Sequence, residues 1–173
     1  MSRGRVYWFA SLNVTRDEAA PADAHGWLRA RFADWHHPIP ALLDATPPAA
    51  IVCSDIYDRK PIRRWSWGRV TLLGDAAHPS VPTLGQGACQ AFEDAATIGR
   101  CLTDSGGDVP AGLQRYQERR RRRANGVTDQ SWRIGQIGQW RNAAACGVRD
   151  WLMKLTPESL QLSQLRAMFD YQP

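Results

Sequence analysis

Leu72-Leu73-Gly74-Asp75-Ala76-Ala77-His78-Pro79 runs on through Pro82 to Gly85-Gln86-Gly87-Ala88-Cys89-Gln90, and the order of those residues decides the fold. The run Arg69 to Gly74 is short, apolar and bounded by glycines, the pattern of a strand buried on both faces. It predicts Asp75 at the carboxyl end of that strand, where open α/β sheets bind ligands. The loop then delivers two glycines to a helix starting near Ala88, whose first turn presents amide N–H groups and the positive end of its dipole. A carboxylate only accepts hydrogen bonds, so Asp75 suits a hydroxyl and repels a phosphate, while the helix start suits an electron-rich group. No Lys or Arg lies between Gly74 and Gly99. Without one, and without a G-K-[ST] ending, a nucleoside triphosphate loop is excluded. A polyol joined to a carbonyl-bearing ring satisfies both features.

Outward from this segment, the helix after Ala88 carries Ala91, Phe92, Ala95, Ala96, Gly99 and Leu102, a small-residue face suited to close packing on a sheet. Ser105-Gly106-Gly107 ends it, and Asp108 with Pro110 starts a helix that carries Leu113, Tyr116, Ala124 and Val127 on one stripe. Arg120 falls on that stripe and needs a buried carboxylate partner. From Ser131 the pattern is mostly helical, with Thr156-Pro157-Glu158 opening a last segment. Upstream, Arg5 to Leu12 and Ala50 to Tyr57 predict strands, the first placing Tyr7 and Phe9 on one face and Val6, Trp8, Ala10 and Leu12 on the other. Between them Asp23 caps a predicted helix with Trp27, Leu28, Phe32 and Trp35 at helical spacing, and a short turn of helix follows around Ala41 to Leu43.

The 173 residues carry 22 Lys+Arg against 17 Asp+Glu, with 43% hydrophobic and 23% charged, a globular composition. No stretch approaches the ~20 apolar residues of a membrane span, and the basic start leads into too short an apolar run for a signal peptide. A cytoplasmic location follows as an expectation, with Cys53, Cys89, Cys101 and Cys146 as reduced thiols and no metal site, since no pair has ligand spacing. Arg119 to Arg123 goes more than once around a helix, so it cannot face one phosphate backbone; an ion-paired helix is expected, and no nucleic acid partner. His36, His37 and His78 are expected in loops, and most of the eight tryptophans in the core. Asp75, His78 and Ser80 do not read as a hydrolase triad, because no G-x-S-x-G occurs.

Gly-Asp-Ala-Ala-His-Pro, Pro82, Gly85-Gln86-Gly87 and Glu93-Asp94-Ala95, led in by Asp55 to Arg59 and Trp67 to Thr71, resemble the second flavin-binding motif of the FAD-dependent monooxygenases. That family comprises the single-component aromatic hydroxylases with the zeaxanthin epoxidases and urate hydroxylases. The resemblance implies an α/β fold (here an α+β fragment), the carboxyl-terminal part of a doubly wound FAD/NAD(P)-binding fold. It implies part of a substrate domain over residues 1–62, the FAD-binding part over 63–130 and a helical segment over 131–173. It further implies that Asp75 holds a ribityl hydroxyl of FAD and that the backbone of Gly85, Gln86, Gly87, Ala88 and Cys89 faces the pyrimidine edge of the flavin. Pro82 would lie beside the ring, and Tyr7 and Phe9 would line the substrate pocket. Many members have Asn where this chain has Cys89, at a position used mainly through its backbone.

The family's opening G-x-G-x-x-G segment and its Asp-Gly middle motif have no counterpart in this chain. The chain is therefore expected to need that amino-terminal nucleotide-binding portion as a partner, and to bind FAD weakly or not at all alone. With it, the resemblance implies a monooxygenase that uses NAD(P)H and O2, through a flavin hydroperoxide, to hydroxylate or epoxidise a small aromatic or cyclic substrate. The alternatives are a non-catalytic remnant or partner subunit that binds no flavin by itself, and a basic nucleic-acid-binding module marked by steep salt dependence. An unpaired apolar edge at Val70 to Leu73 predicts self-association.

Overall fold

The computed structural model describes residues 4–14, 19–157, 159–160, 162–163 and 171, and divides the chain into two compact units, Met1–Ile56 and Tyr57–Pro173. Glu158, at the start of the expected last segment, lies outside the described residues, as does 164–170.

In the first unit, α1 spans Ala24–Arg31, and its predicted cap is in place: Asp23 Oδ1 accepts from the Gly26 amide at 2.8 Å. Helix α2 spans Ile39–Asp44. Leu28 and Leu43 are the buried residues of the two helices, and Arg29 pairs with Asp44 at 2.6 Å. Trp8 Nε1 donates to Thr46 Oγ1 at 3.0 Å, tying the amino-terminal segment to the end of α2. Residues 5–12 do not form the expected strand, and neither do residues 50–57, the first of which closes a 3₁₀ turn at Pro48–Ala50. Alternating side chains suit a strand, but a strand exists only where a second backbone supplies donors and acceptors. Among the described residues the one sheet is β1 with β2, and neither segment takes part in it.

The second unit opens with an antiparallel hairpin of β1, Ser66–Trp67, and β2, Val70–Thr71, with Ser66 opposite Thr71 and Trp67 opposite Val70. The expected strand buried on both faces is thus a two-residue strand with one ladder, and Val70 is 63% exposed. Its other edge has no strand beside it among the described residues. A 3₁₀ turn at Gly74–Ala76 follows, then another at Pro82–Leu84, then α3, Gly87–Thr103. Helix α4, Val109–Gly138, starts where Asp108 and Pro110 predict, with Asp108 Oδ1 accepting from the Ala111 amide at 3.1 Å. It continues unbroken through residues 130 and 131, and α5 spans Ala143–Leu155.

Trp65, Ala77, Cys101, Tyr116 and Ala124 form the core of this unit, joined by Ile62, Leu72 and Ile98. The α4 stripe packs as its periodicity requires: Leu113, Tyr116, Arg120, Ala124 and Val127 are all buried. Helix α3 departs from the expectation. Its buried stripe is Gln90, Asp94, Thr97 and Cys101, whereas of the expected small-residue face Phe92, Ala95, Ala96 and Gly99 are exposed and Ala91 and Leu102 half-buried. The cause is electrostatic: α4 brings a buried guanidinium to α3, and a buried charge is tolerable only where polar partners surround it. The tryptophans also depart from expectation. Trp65 is fully buried and Trp8 partly so, but the other six are exposed.

Candidate functional site

Three backbone devices shape the site. Gly74 has φ +56° and Gly85 has φ +62°, a left-handed conformation that costs glycine little and other residues much. Between these two turns the chain doubles back, so that Asp75 meets the start of α3. A Cβ added to Gly87 would lie 4.0 Å from Asp75 Oδ1 and 3.8 Å from Ser80 Oγ, so the missing side chain keeps the space between carboxylate and helix open. The third device is an uncapped helix start. The Gln90 amide makes an intrahelical bond, to Gln86 O at 2.9 Å, and no side chain caps α3. The amides of Gly87, Ala88 and Cys89 precede that bond and belong to the first turn, where helical geometry supplies no partner.

Asp75, Pro82, Gly85, Ala88 and Cys89 are exposed, Gly87 is half-buried and Gln86 is buried. The structure thus brings the carboxylate and the helix start together in one unit. Tyr7 and Phe9 belong to the first unit, where both rings are exposed with centroids 6.4 Å apart. Beside them, Trp8, Phe9, Phe32 and Leu43 help to line a small cavity of about 80 Å³.

Beneath the site lies a buried network. Asp94 Oδ2 accepts from the Gly74 amide at 2.9 Å and from His78 Nε2 at 2.6 Å, and Asp94 Oδ1 accepts from Arg120 Nε at 2.8 Å. Arg120 Nη2 donates to Gln90 Oε1 at 2.8 Å and Nη1 to Glu93, whose carboxylate also receives two bonds from Arg123 at 2.8 Å. Burial pushes the Asp94 carboxyl up, but bonds from His78, Arg120 and the Gly74 amide outweigh it and hold the group below the usual carboxylate range. Glu93 is likewise held low, because Arg123 and Arg120 overcome its desolvation. An ionised Asp94 accepts only, so His78 Nε2 carries the proton in their bond. For Tyr116, burial and the Asp94 charge raise the phenol, which stays neutral and donates to Leu72 O at 3.2 Å.

Arg120 therefore finds the carboxylate partner its position requires. His78 lies in a loop, as expected, but is buried at 2% exposure, packed on Trp65 with ring centroids 5.4 Å apart. Sequence reasoning assigned no role to Gln90 or to Arg59, whose guanidinium donates to Ala76 O at 2.8 Å and Ala77 O at 3.1 Å, clamping the turn behind Asp75. The four-residue step from Gln90 to Asp94 was the available signal for the first; nothing in spacing announces the second. Of the Arg119–Arg123 run, Arg120, Arg121 and Arg123 are committed to Asp94, Arg63 O and Glu93. Among the described residues no cluster of three His, Cys, Asp or Glu could hold a metal ion, and no helix is long and apolar enough to cross a membrane.

Residues 52–131 match the family model of the FAD binding domain. Over 173 residues the chain is 46% identical to aurachin C monooxygenase/isomerase of Stigmatella aurantiaca, covering all of this chain and 45% of the relative. The chain is similar to FAD-dependent monooxygenases. It is also 32% identical over 166 residues to 2-heptyl-3-hydroxy-4(1H)-quinolone synthase of Pseudomonas aeruginosa, covering 92% of this chain and 42% of that one. Among solved structures, a variant of HpxO of Klebsiella pneumoniae complexed with FAD superposes with a TM-score of 0.75 at 26% identity, over 87% of this chain and 40% of HpxO. The fold is accordingly the α/β fold of this flavoenzyme family, and the chain spans less than half the length of these relatives. FAD is the family's cofactor, and Asp75 with the α3 start lies inside the matched segment.

Proposed function

We propose that this chain supplies the flavin-ring end of the cofactor site, with part of the substrate-binding region, of an FAD-dependent monooxygenase. The enzyme would use NAD(P)H and O2 to hydroxylate or epoxidise a small aromatic or cyclic compound. One relative is named for a quinolone, which makes a fused heteroaromatic ring the substrate class to try first. The observation that carries the proposal is the acceptor-only carboxylate of Asp75 beside the uncapped start of α3, across the space Gly87 leaves open.

That donor and acceptor set fits the vitamin end of FAD. Asp75 would accept from a ribityl hydroxyl; the amides of Gly87, Ala88 and Cys89 would face the carbonyl edge of the ring; Pro82 would flank it; Tyr7 and Phe9 would face substrate. When bound, the flavin supplies electron transfer and oxygen activation. The protein's share is orientation and electrostatics. A helix start stabilises nearby negative charge by about 0.3–1 kcal/mol, up to ~2 in partly buried sites. For a two-electron couple the upper figure corresponds to about 40 mV, enough to tune the cofactor but not to create its chemistry.

The amino-terminal nucleotide-binding portion of the relatives would complete the site as partner, and the outward stripe Ala88, Phe92, Ala95 and Gly99 is the α3 face open to it. The test joins the chain to that portion of the aurachin relative and measures FAD binding and substrate-dependent NAD(P)H oxidation. FAD binding that falls about tenfold or more in Asp75→Ala, and oxidation that needs the joined form, are expected. Sub-micromolar FAD binding by the chain alone would remove the need for a partner. A joined protein that binds FAD equally well with and without the Asp75 carboxylate would overturn the site.

A further inference from the structure

We infer that Asp94 is the positioning residue that sets Asp75 against the mouth of α3, an inference that rests on the flavin site proposed above. Asp75 sits on the Gly74–Ala76 turn, and the donor amides sit on the first turn of α3; 11 residues lie between Asp75 and Gly87 in sequence. A loop of that length does not by its own backbone hold two ligand-binding groups at a constant separation, and Arg59 clamps only the turn at Ala76 and Ala77. Asp94 does so through its two oxygens. Oδ2 takes the Gly74 amide and His78 Nε2, one at each end of the turn that carries Asp75. Oδ1 takes Arg120 Nε, and the same guanidinium reaches Gln90 through both its side-chain and backbone oxygens, at 2.8 and 3.3 Å. Gln90 is adjacent to Cys89, so the chain of bonds runs from the turn, through one carboxylate and one guanidinium, to the helix start.

All the groups in this chain are dry. Asp94 and Arg120 are 0% exposed, Gln90 1% and His78 2%. In such surroundings a polar network has few alternative partners, so the satisfied arrangement is kept rather than averaged over. Asp94 touches no ligand position; it acts through the turn. Structural burial alone predicts that Asp94 matters for stability as any core residue does. Positioning predicts more: its loss should loosen the turn and weaken ligand binding beyond what an equal loss of stability elsewhere in the core produces.

The test compares Asp94→Asn with Leu113→Ala in the full chain. Leu113 is buried on α4 and takes no part in the network, and its truncation creates a cavity. Amide hydrogen exchange at Gly74, Ala77 and His78 is measured at matched stability, and riboflavin, which carries the ring and ribityl chain without phosphate, is titrated while the amides of Gly87, Ala88 and Cys89 are followed by NMR. Faster exchange of the turn and about tenfold or greater loss of riboflavin response in Asp94→Asn, with neither in Leu113→Ala, are expected. Equal behaviour of the two variants overturns the inference. If the wild-type chain alone shows no riboflavin response at those amides, the titration is repeated on the protein joined to the amino-terminal portion; no response there is what fails the flavin site, and exchange at the turn still decides the role of Asp94. Should Asp94→Asn not fold, Gln90→Met removes the shorter, side-chain bond at the helix start, leaving the 3.3 Å backbone contact and the carboxylate intact, and is read in the same way.

Discussion

A Cβ placed on Gly112 would lie 3.0 Å from the carbonyl oxygen of Cys101, so α3 and α4 meet there at backbone distance. Leu102 Cδ2 and Ser105 Oγ would be only 3.1 Å away as well. Gly112→Ala gains about 1 kcal/mol of helix propensity but meets crowding worth about 1–3 kcal/mol, so a net loss of about 1 kcal/mol is expected. Gly126, on the same helix with nothing within 4 Å of its added Cβ, is the counterpart. Gly126→Ala should gain about 0.5–1 kcal/mol, and urea denaturation of the two variants checks both signs.

Arg120→Met is expected to destabilise strongly. It leaves Asp94 buried without its guanidinium and takes from Glu93 one of two cationic partners. Removing one partner of a buried ion pair costs about 3–5 kcal/mol, a large part of the stability of a chain this size. The double variant Arg120→Met with Asp94→Leu should recover part of that loss, because no uncompensated charge remains. Thermal unfolding of both proteins measures the difference.

Acid should unfold this protein through the same network. Asp94 and Glu93 have folded pKa values below their ordinary 3.8 and 4.5. The stabilisation is present above those ordinary values and is lost as pH falls through the lowered ones. Melting temperature should therefore be flat from neutral pH down to the ordinary carboxylate range and drop steeply below it. In Asp94→Asn, less stable throughout, the acid drop should be smaller. A wild-type melting temperature unaffected by such acidity would count against an ionised pair in the core.

Apolar surface predicts self-association. Val70 is 63% exposed beside the open edge of β2, and Phe92 is 74% exposed on α3. Open edges and exposed aromatic side chains invite pairing with another copy. Val70→Lys with Phe92→Ser should shift the chain toward monomer in analytical ultracentrifugation, with stability changed by no more than about 0.5 kcal/mol per site. A wild-type chain that is monomeric at high concentration would contradict this expectation.

Local chemistry made much of the molecule legible before any tertiary contact was known. Asp23 and Asp108 announce helix starts because a short acceptor side chain can bond amides within its own turn, with no need of a distant segment. Leu113, Tyr116, Ala124 and Val127 repeat at helical spacing, and Arg120 among them already demands a buried carboxylate. The Gly-Asp turn and the Gly85 to Cys89 helix entry are contiguous stretches, so their ligand chemistry is readable residue by residue.

What needed the tertiary structure was everything that depends on a neighbour. Residues 5–12 and 50–57 have strand-forming side chains, yet a ladder requires a second backbone that pattern alone does not provide. Helix α3 has an apolar face and a polar one; which is buried was decided by the guanidinium that α4 places against Asp94 and Gln90, not by hydrophobicity. Likewise the tryptophans show how much apolar surface the chain carries but not what covers it. Composition and periodicity describe each segment's capacity for contact, while burial is a property of pairs of segments, and only folding pairs them.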